Sequence, residues 1–133
     1  MSEKASIPPL PDGAPQVLVD YLKIWNETDP DSIRGHIDVC VADDCWWVDP
    51  HHQHTGRDAL EANVRKFRDH FPTAGLGIGS NIDRHNGRHR YEWVIVNRGR
   101  LMMRGFDVVT VGDDGLINRV DGFFGTLDRV GLE

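Results

Sequence analysis

The stretch WWVDPHHQHTG, residues 46–56, holds one carboxylate and three histidines within a few positions of each other. Asp49 stands directly before Pro50, and His51, His52 and His54 follow it. An Asp-Pro step often begins a turn. A carboxylate beside imidazoles is also a candidate metal ligand. A third possibility is a general base. The residues alone leave these three roles of Asp49 open.

The metal interpretation requires the histidines to share a face. In an extended segment His52 and His54 point the same way and His51 points away, so Asp49 could complete a two-histidine, one-carboxylate site. The segment contains a proline, however, and no second histidine cluster stands nearby in the sequence. We therefore expect no metal here, and instead a surface loop or a histidine that hydrogen-bonds Asp49 or a substrate. Phosphate-binding and dinucleotide-binding motifs are also absent from the sequence, so no cofactor is expected.

Composition narrows the class of protein. The net charge is −6 and the basic residues are scattered, which argues against a nucleic-acid partner. No run of 18 apolar residues occurs, so no membrane contact through a spanning helix is expected. The N-terminal residues lack the apolar core of a signal peptide, and a cytoplasmic location is the default expectation. Cys40 and Cys45 are then expected to be reduced, partly buried thiols.

The elements that must position these residues begin with helices. Residues 1–12 are expected to form a flexible leader and residues 13–133 a single domain. Pro15 stands in the first turn of a predicted helix. The second helix is predicted to begin with Thr28 or Asp29 as cap and Pro30 at its first position. The apolar face of the first helix comprises Val17, Leu18, Tyr21, Leu22 and Trp25. A third helix is predicted within residues 55–72, where Thr55 and Asp58 match a capping box.

Strands dominate the rest of the chain. The segment CWWV predicts one strand, LGIGSNID a weaker one, and HRYEWVIV, LMMRGFDVVTV and LINRVDGFFGTL predict three more with turns between them. Helices followed by a strand meander indicate an α+β fold, in which the helices cover one face of a curved antiparallel sheet.

These elements, with their residues, resemble the cone-shaped fold of nuclear transport factor 2 (NTF2). Within that superfamily they resemble the ketosteroid isomerase and SnoaL-like polyketide cyclase branch. The similarity is carried by YLKIWNETDPDSI, by VADDCWWVDP with GRDAL behind it, and by FDVVTVGDDGLINRV. The resemblance implies three helices from the N-terminal half, packed on a curved mixed or antiparallel sheet.

The resemblance also implies catalytic roles. Tyr21 corresponds to the oxyanion-hole tyrosine, Asp49 to the general base of the Asp-Pro step, and Asp107 to the protonated oxyanion-hole carboxyl. Asp121 competes with Asp107, because polyketide cyclases of this fold use an aspartate of a late strand as acid or base. The remaining residues expected to contact substrate are Trp25, Trp47, His52, His54, Trp93 and Phe124.

Each role has a plainer alternative. Asp49 could only shape a turn, Tyr21 could be a core residue with a satisfied hydroxyl, and Asp107 could face solvent by strand alternation. An ungapped match also places Arg90 and Glu92 on the strand that lines the family's pocket.

The functional expectation is a cofactor-independent acid/base enzyme. It would act on a carbonyl-bearing apolar or cyclic small molecule through an enolate, as an isomerase, cyclase or dehydratase. The alternative is a non-catalytic small-molecule-binding or dimerisation module of the same fold. A homodimer that pairs through the outer face of the sheet is expected in either case.

Overall fold

Three α-helices form one layer of the protein. The computed structural model describes residues 7–131, and it contains α1 (Gln16–Asn26), α2 (Ile33–Cys40) and α3 (Arg57–His70), with a short 3₁₀ helix at Pro30–Ser32. No helix within that described range is long and apolar enough to cross a membrane. The helices bury the faces predicted for them, and α1 contributes Leu18, Tyr21, Leu22, Ile24 and Trp25 to the core.

The helix starts follow the predicted capping in one case and not in another. Asp29 accepts a hydrogen bond from the backbone N–H of Asp31 at 3.0 Å, with Pro30 at the first position, as expected. The predicted capping box of α3 is wrong. Thr55 belongs to a strand, Gly56 precedes the helix with a φ of 97°, and no side chain caps it. A left-handed φ suits glycine, so the backbone bend replaces the side-chain cap.

Seven strands form the second layer, a single mixed sheet. They are β1 (Val41–Asp49), β2 (His52–Thr55), β3 (Ala74–Ile78), β4 (Asp83–His85), β5 (Arg88–Asn97), β6 (Arg100–Val111) and β7 (Ile117–Phe124). The order is β2-β1-β7-β6-β5-β3, and β4 pairs with β5. The sheet is curved and does not close, and the three helices pack on it. The α+β prediction and the NTF2-like cone are therefore confirmed.

The sheet differs from the predicted meander at β1 and β2. β1 runs parallel to β7, with Val48 opposite Asp121, so the sheet is mixed. The segment HQHT, expected to be a loop, forms β2 and pairs antiparallel with β1, with Asp49 opposite His52. Four residues are too short for the sequence pattern to distinguish a strand from a loop. The pairing holds the histidines at fixed positions beside Asp49.

The first residues of the described chain pack on the sheet edge. A Cβ added to Gly75 or Gly77 of β3 would collide with the Ile7 side chain, so these glycines make room for it. Residues 1–6 of the expected leader lie outside the described range. The flexibility expected of residues 1–12 stays a prediction.

Candidate active site

A cavity of about 460 Å³ opens between the sheet and helices α1 and α3. Five aromatic side chains supply much of its wall: Trp25, Trp47, Phe67, Trp93 and Phe124. Trp25 packs against Trp47 and Phe67 with ring centroids 5.7 Å apart in both pairs, and Trp93 meets Phe124 edge-on at 5.9 Å. A pocket of this kind, apolar with a few convergent polar groups, is the usual form of a small-molecule site.

Asp107 is one of these polar groups and is buried. It lies on β6, and Tyr91, directly opposite on β5, donates a hydrogen bond from its hydroxyl to Asp107 Oδ2 at 3.1 Å. Burial raises the pKa of Asp107 to about 7, against the partial opposition of the Tyr91 bond, and the nearby negative charge of Asp49 raises it further. A carboxyl in this environment is substantially protonated near neutral pH and can donate a hydrogen bond.

Tyr21 reaches the same cavity from α1. Its hydroxyl accepts a hydrogen bond from Trp47 Nε1 at 2.9 Å. Burial raises the pKa of Tyr21 well above its ordinary value, and the charge of Asp107 adds to that effect. The phenol therefore stays neutral, with its acceptor site used by Trp47 and its proton available to another group.

Asp49 proves to shape a turn and to line the cavity at once. Its Oδ1 accepts hydrogen bonds from the backbone N–H groups of His51 and His52, both at 2.8 Å, and it lies 2.9 Å from His52 Nδ1. Only 7% of the Asp49 side chain is exposed, and Asp49 is one of the residues that line the cavity. No hydrogen bond from the described residues reaches Oδ2. The turn and pocket interpretations of the sequence are thus compatible, because the same side chain accepts the turn hydrogen bonds and lines the cavity.

Gly122 on β7 lies between the two carboxyl groups. A Cβ at this position would stand 3.1 Å from Asp107 Oδ1 and 3.4 Å from the Cβ of Asp49. β7 separates β1 from β6 in the sheet, and Gly122 pairs with Asp107. The two acidic side chains therefore approach each other above a strand that has no side chain at that point.

The three histidines occupy different environments. His52 lines the cavity beside Trp47, with ring centroids 6.1 Å apart. His54 stacks on Trp47 at 5.3 Å, bonds Asn63 through Nε2, and is not part of the cavity wall. Burial lowers the pKa of His54, so its ring is neutral. His51 is exposed and packs against Phe124.

Asp121 does not join the predicted site. Val120, Gly122 and Phe124 of β7 face the helices, so Asp121 faces the opposite side of the sheet, where Arg119 donates to its carboxylate at 2.8 Å. The guanidinium of Arg119 also lies over the Trp46 ring, 4.4 Å from its centroid. Of the two late-strand aspartates, Asp107 therefore lines the cavity and Asp121 does not.

The pocket strand of the ungapped match is also corrected. Arg90 and Glu92 lie on the outer side of β5, where Arg90 pairs with Asp83 and Glu92 lies near Arg104. Tyr91 and Trp93 point inward instead. Strand alternation from Tyr91 to Ile95 was the signal in the sequence that could have assigned Tyr91 to the site.

Other reactive groups lie away from this chemistry. No group of three histidine, cysteine, aspartate or glutamate side chains among residues 7–131 is arranged to hold a metal ion. Cys40 and Cys45 are buried and unpaired, and burial raises the pKa of each thiol to about 12. Both therefore remain neutral thiols.

Comparison with solved structures places this geometry in a family context. No protein-family model matches the chain, and no curated protein matches it. A proposed isomerase of the SnoaL-like family from Agrobacterium tumefaciens superposes with a TM-score of 0.79 at 28% identity, over 84% of this chain and 96% of that one. The chain has the predicted NTF2-like fold. Within the NTF2-like superfamily it is similar to the SnoaL-like branch.

Two more distant structures support the same NTF2-like architecture. An NTF2-like protein from Exiguobacterium sp. 255-15 superposes with a TM-score of 0.67 at 16% identity, over 84% of this chain and 99% of that one. A proposed SnoaL-like polyketide cyclase from Jannaschia sp. CCS1 has a TM-score of 0.64 at 13% identity, over 86% and 90% of the two chains. At such identities the similarity extends to the fold alone.

Proposed function

We propose that this NTF2-like protein is a cofactor-independent acid/base enzyme that acts on a carbonyl-bearing cyclic small molecule through an enolate. The observation that carries the proposal is the environment of Asp107, a buried carboxyl whose pKa is raised to about 7 by burial in an aromatic cavity. A neutral carboxylic acid costs less to bury than a carboxylate and can donate to an oxygen that gains negative charge.

The arrangement supports two separate roles in the cavity, hydrogen-bond donation to the substrate's oxygen and acceptance of its proton. Asp107 and Tyr21 are the two neutral donors, and they would hold the substrate's carbonyl oxygen. Asp49 and His52 stand together at the cavity wall, where they would accept the proton from the neighbouring carbon. Such a step yields an enolate, which isomerisation, cyclisation and dehydration reactions of carbonyl compounds can share. The isomerase and polyketide cyclase names of similar structures agree with this reaction class.

The competing proposal is a non-catalytic binding module that holds an apolar ligand in the same cavity. The aromatic wall favours it as strongly as it favours an enzyme, because ring stacking needs no acid or base. The two proposals differ at Asp107, whose proton matters to an enolate and not to an uncharged apolar ligand.

The test uses a bicyclic ketone and the aromatic alcohol that resembles its enol. Exchange of the α-protons of 2-tetralone in D₂O, followed by proton NMR, measures enolate formation, and 2-naphthol binding measures recognition of the enolate form. Wild-type protein is expected to catalyse exchange. Asp107→Asn, which retains a donor, should bind 2-naphthol nearly as well as the wild type, whereas Asp107→Leu should bind about tenfold worse or more.

The control variant is Asp121→Leu, which changes an aspartate on the outer side of the sheet and should leave both measurements unaltered. Binding of 2-naphthol without any exchange of 2-tetralone would favour the binding module. Equal binding by wild type and Asp107→Leu would remove Asp107 from oxygen recognition.

A further inference from the structure

The ring of His52 has one nitrogen committed to Asp49 and one that the described residues leave without a hydrogen bond. His52 Nδ1 lies 2.9 Å from Asp49 Oδ1, while the ring also forms part of the cavity wall. Its side chain is 38% exposed, so it stands where the cavity meets solvent. A histidine fixed through one nitrogen presents the other in a defined direction.

We infer that His52 is the group that takes the substrate proton, through Nε2, and that Asp49 is a positioning residue that acts through it. The inference rests on the proposed enolate chemistry and specifies which side chain carries the proton. It departs from the role that the sequence resemblance gives to Asp49.

The hydrogen bonds at Asp49 determine the form of the imidazole. A carboxylate can only accept, so the bond between Asp49 Oδ1 and His52 requires the proton on Nδ1. In the neutral ring Nε2 then holds the lone pair. Two backbone N–H groups bind the same Oδ1 and hold the carboxylate against the turn. Asp49 thus fixes both the tautomer and the orientation of His52, as the buried aspartate does in an Asp-His pair.

The surroundings of His52 suit a proton acceptor at the cavity mouth. Trp47 packs edge-to-face against its ring and restricts rotation. The other titratable groups around it are Asp49 on β1, His51 and His54 on its own segment, and Lys66 and His70 of α3, which line the same cavity. Imidazole accepts protons more readily than a carboxylate does, and its exposure lets it exchange that proton with water.

The proton that leaves the substrate in this step is taken up within the cavity. The C–H bond beside the carbonyl breaks, its proton forms the Nε2–H bond, and its electron pair moves into the carbonyl to give the enolate. The imidazolium is paired with the Asp49 carboxylate, and the enolate oxygen accepts hydrogen bonds from Tyr21 and protonated Asp107. In a substrate whose enolate is conjugated with a C=C bond, return of the proton from Nε2 to the γ-carbon completes a double-bond isomerisation without oxidant or reductant.

The first experiment determines the tautomer of His52 in the absence of substrate. Nitrogen-15 NMR of histidine-labelled protein at pH 8 should show His52 protonated on Nδ1 and unprotonated on Nε2. In Asp49→Ala the acceptor oxygen is gone, and the preference for that tautomer should be lost. A wild-type His52 with its proton on Nε2 would overturn the inference.

The second experiment compares 2-tetralone exchange rates between variants. His52→Gln should lower the rate by about 10²-fold or more, the usual effect of losing a general base, with little change in 2-naphthol affinity. Asp49→Asn should lower it less, because the imidazole is still present. His52→Ala should regain activity when free imidazole is added to the solution. His51→Gln is the matched control, since it changes an exposed histidine next to the site.

The outcomes separate this inference from the proposed function. Absence of exchange in the wild type would overturn both. If exchange is lost in Asp49→Asn but retained in His52→Gln, the proposed enolate chemistry holds and Asp49 is the general base. If His52→Gln lowers the melting temperature as well as the activity, and imidazole does not rescue His52→Ala, His52 has a structural role only.

Discussion

The Tyr21 hydroxyl accepts a hydrogen bond from Trp47 Nε1 at 2.9 Å, and this bond determines which way the phenolic proton can point. Both side chains are buried, with 2% of Tyr21 and 7% of Trp47 exposed. Since the indole occupies the acceptor site, the hydroxyl proton is free to donate to a ligand.

Tyr21→Phe should therefore have two effects. Removal of the donor should weaken 2-naphthol binding by about tenfold, and the stranded indole N–H should lower the free energy of unfolding by about 1–3 kcal/mol. Fluorescence titration and urea unfolding measure the two effects. Trp47→Phe removes the indole N–H and keeps the tyrosine hydroxyl, so it separates loss of this hydrogen bond from loss of the donor to the ligand. Unchanged binding by Tyr21→Phe would mean that the hydroxyl does not contact the ligand oxygen.

The raised pKa of Asp107 predicts a pH dependence of stability with a definite sign. Its pKa is about 7 in the folded protein, because of burial, and about 4 in an unfolded chain. The folded state therefore binds the proton more tightly than the unfolded state does. The contribution of the protonated Asp107 carboxyl to stability is fully present at low pH. Stability should fall between about pH 4 and pH 7, by an amount of the order of 4 kcal/mol relative to Asp107→Asn.

The measurement is urea unfolding of wild type and Asp107→Asn across that pH range, because other titrating groups are common to both proteins. The difference between the two free energies should change steadily through the range. A constant difference would show that Asp107 titrates in the same way in the folded and unfolded states.

Gly122→Ala should block the space between the two carboxyl groups. Its methyl group would lie 3.1 Å from Asp107 Oδ1, closer than most Cβ contacts, so either the carboxyl or the ligand must move. We expect weaker 2-naphthol binding with a stability loss of at most about 1–3 kcal/mol. Gly35→Ala is the control: it lies on α2, an added Cβ there meets nothing within 4 Å, and it should leave binding intact.

The turn at Asp49 makes a separate prediction about stability. Asp49→Asn keeps an oxygen that can accept from the backbone N–H groups of His51 and His52, whereas Asp49→Ala leaves both without that partner. Asp49→Ala should be less stable than Asp49→Asn by about 1–2 kcal/mol, similar to the loss of a helix N-cap. Thermal and urea unfolding test it, and equal stability would mean that water satisfies both groups.

We also propose a homodimer that pairs through the outer face of the sheet. Phe123 is 58% exposed there and lies opposite Phe106 on the neighbouring strand. Adjacent apolar side chains that form a patch on an exposed sheet face are typical of an interface. Phe123→Glu should convert a dimer into a monomer in sedimentation equilibrium. Leu127→Glu, beyond the last strand, is the control, and a monomeric wild type would contradict the proposal.

The strong periodic patterns of the sequence were sufficient to predict the helix and sheet layers, but not every residue that faces the cavity. The family resemblance implied pocket roles for Tyr21 and Asp49, and both residues line the cavity, while their catalytic roles stay predictions. Mid-strand alternation suggested that Asp107 faces solvent, yet it is buried. Alternation fixes only which residues share a side, and a register error of one position exchanges the two sides. The same ambiguity misplaced Arg90 and Glu92.

Contacts between distant segments could not be predicted in this way. The parallel pairing of β1 with β7 brings Asp49 next to Gly122, and no local pattern encodes it. Nor does the sequence reveal that Tyr91 would bond Asp107 rather than another group, because this depends on the register of β5 and β6. The strand β2 escaped prediction for a different reason, since its stability comes from pairing with β1 and not from its own apolar content.

The insertion of β7 between β1 and β6 has a consequence for folding kinetics. The hairpin of β5 and β6 can form from neighbouring residues, but β1 finds its parallel partner only after most of the chain has been synthesised. Long-range pairing of this kind slows folding, because the entropy of loop closure must be lost before the contacts form. Until β7 is present, the edge of β1 that pairs with it has no strand partner. An intermediate in which β7 has not yet paired therefore presents an open strand edge on β1, and this intermediate is the one we expect a chaperone to bind.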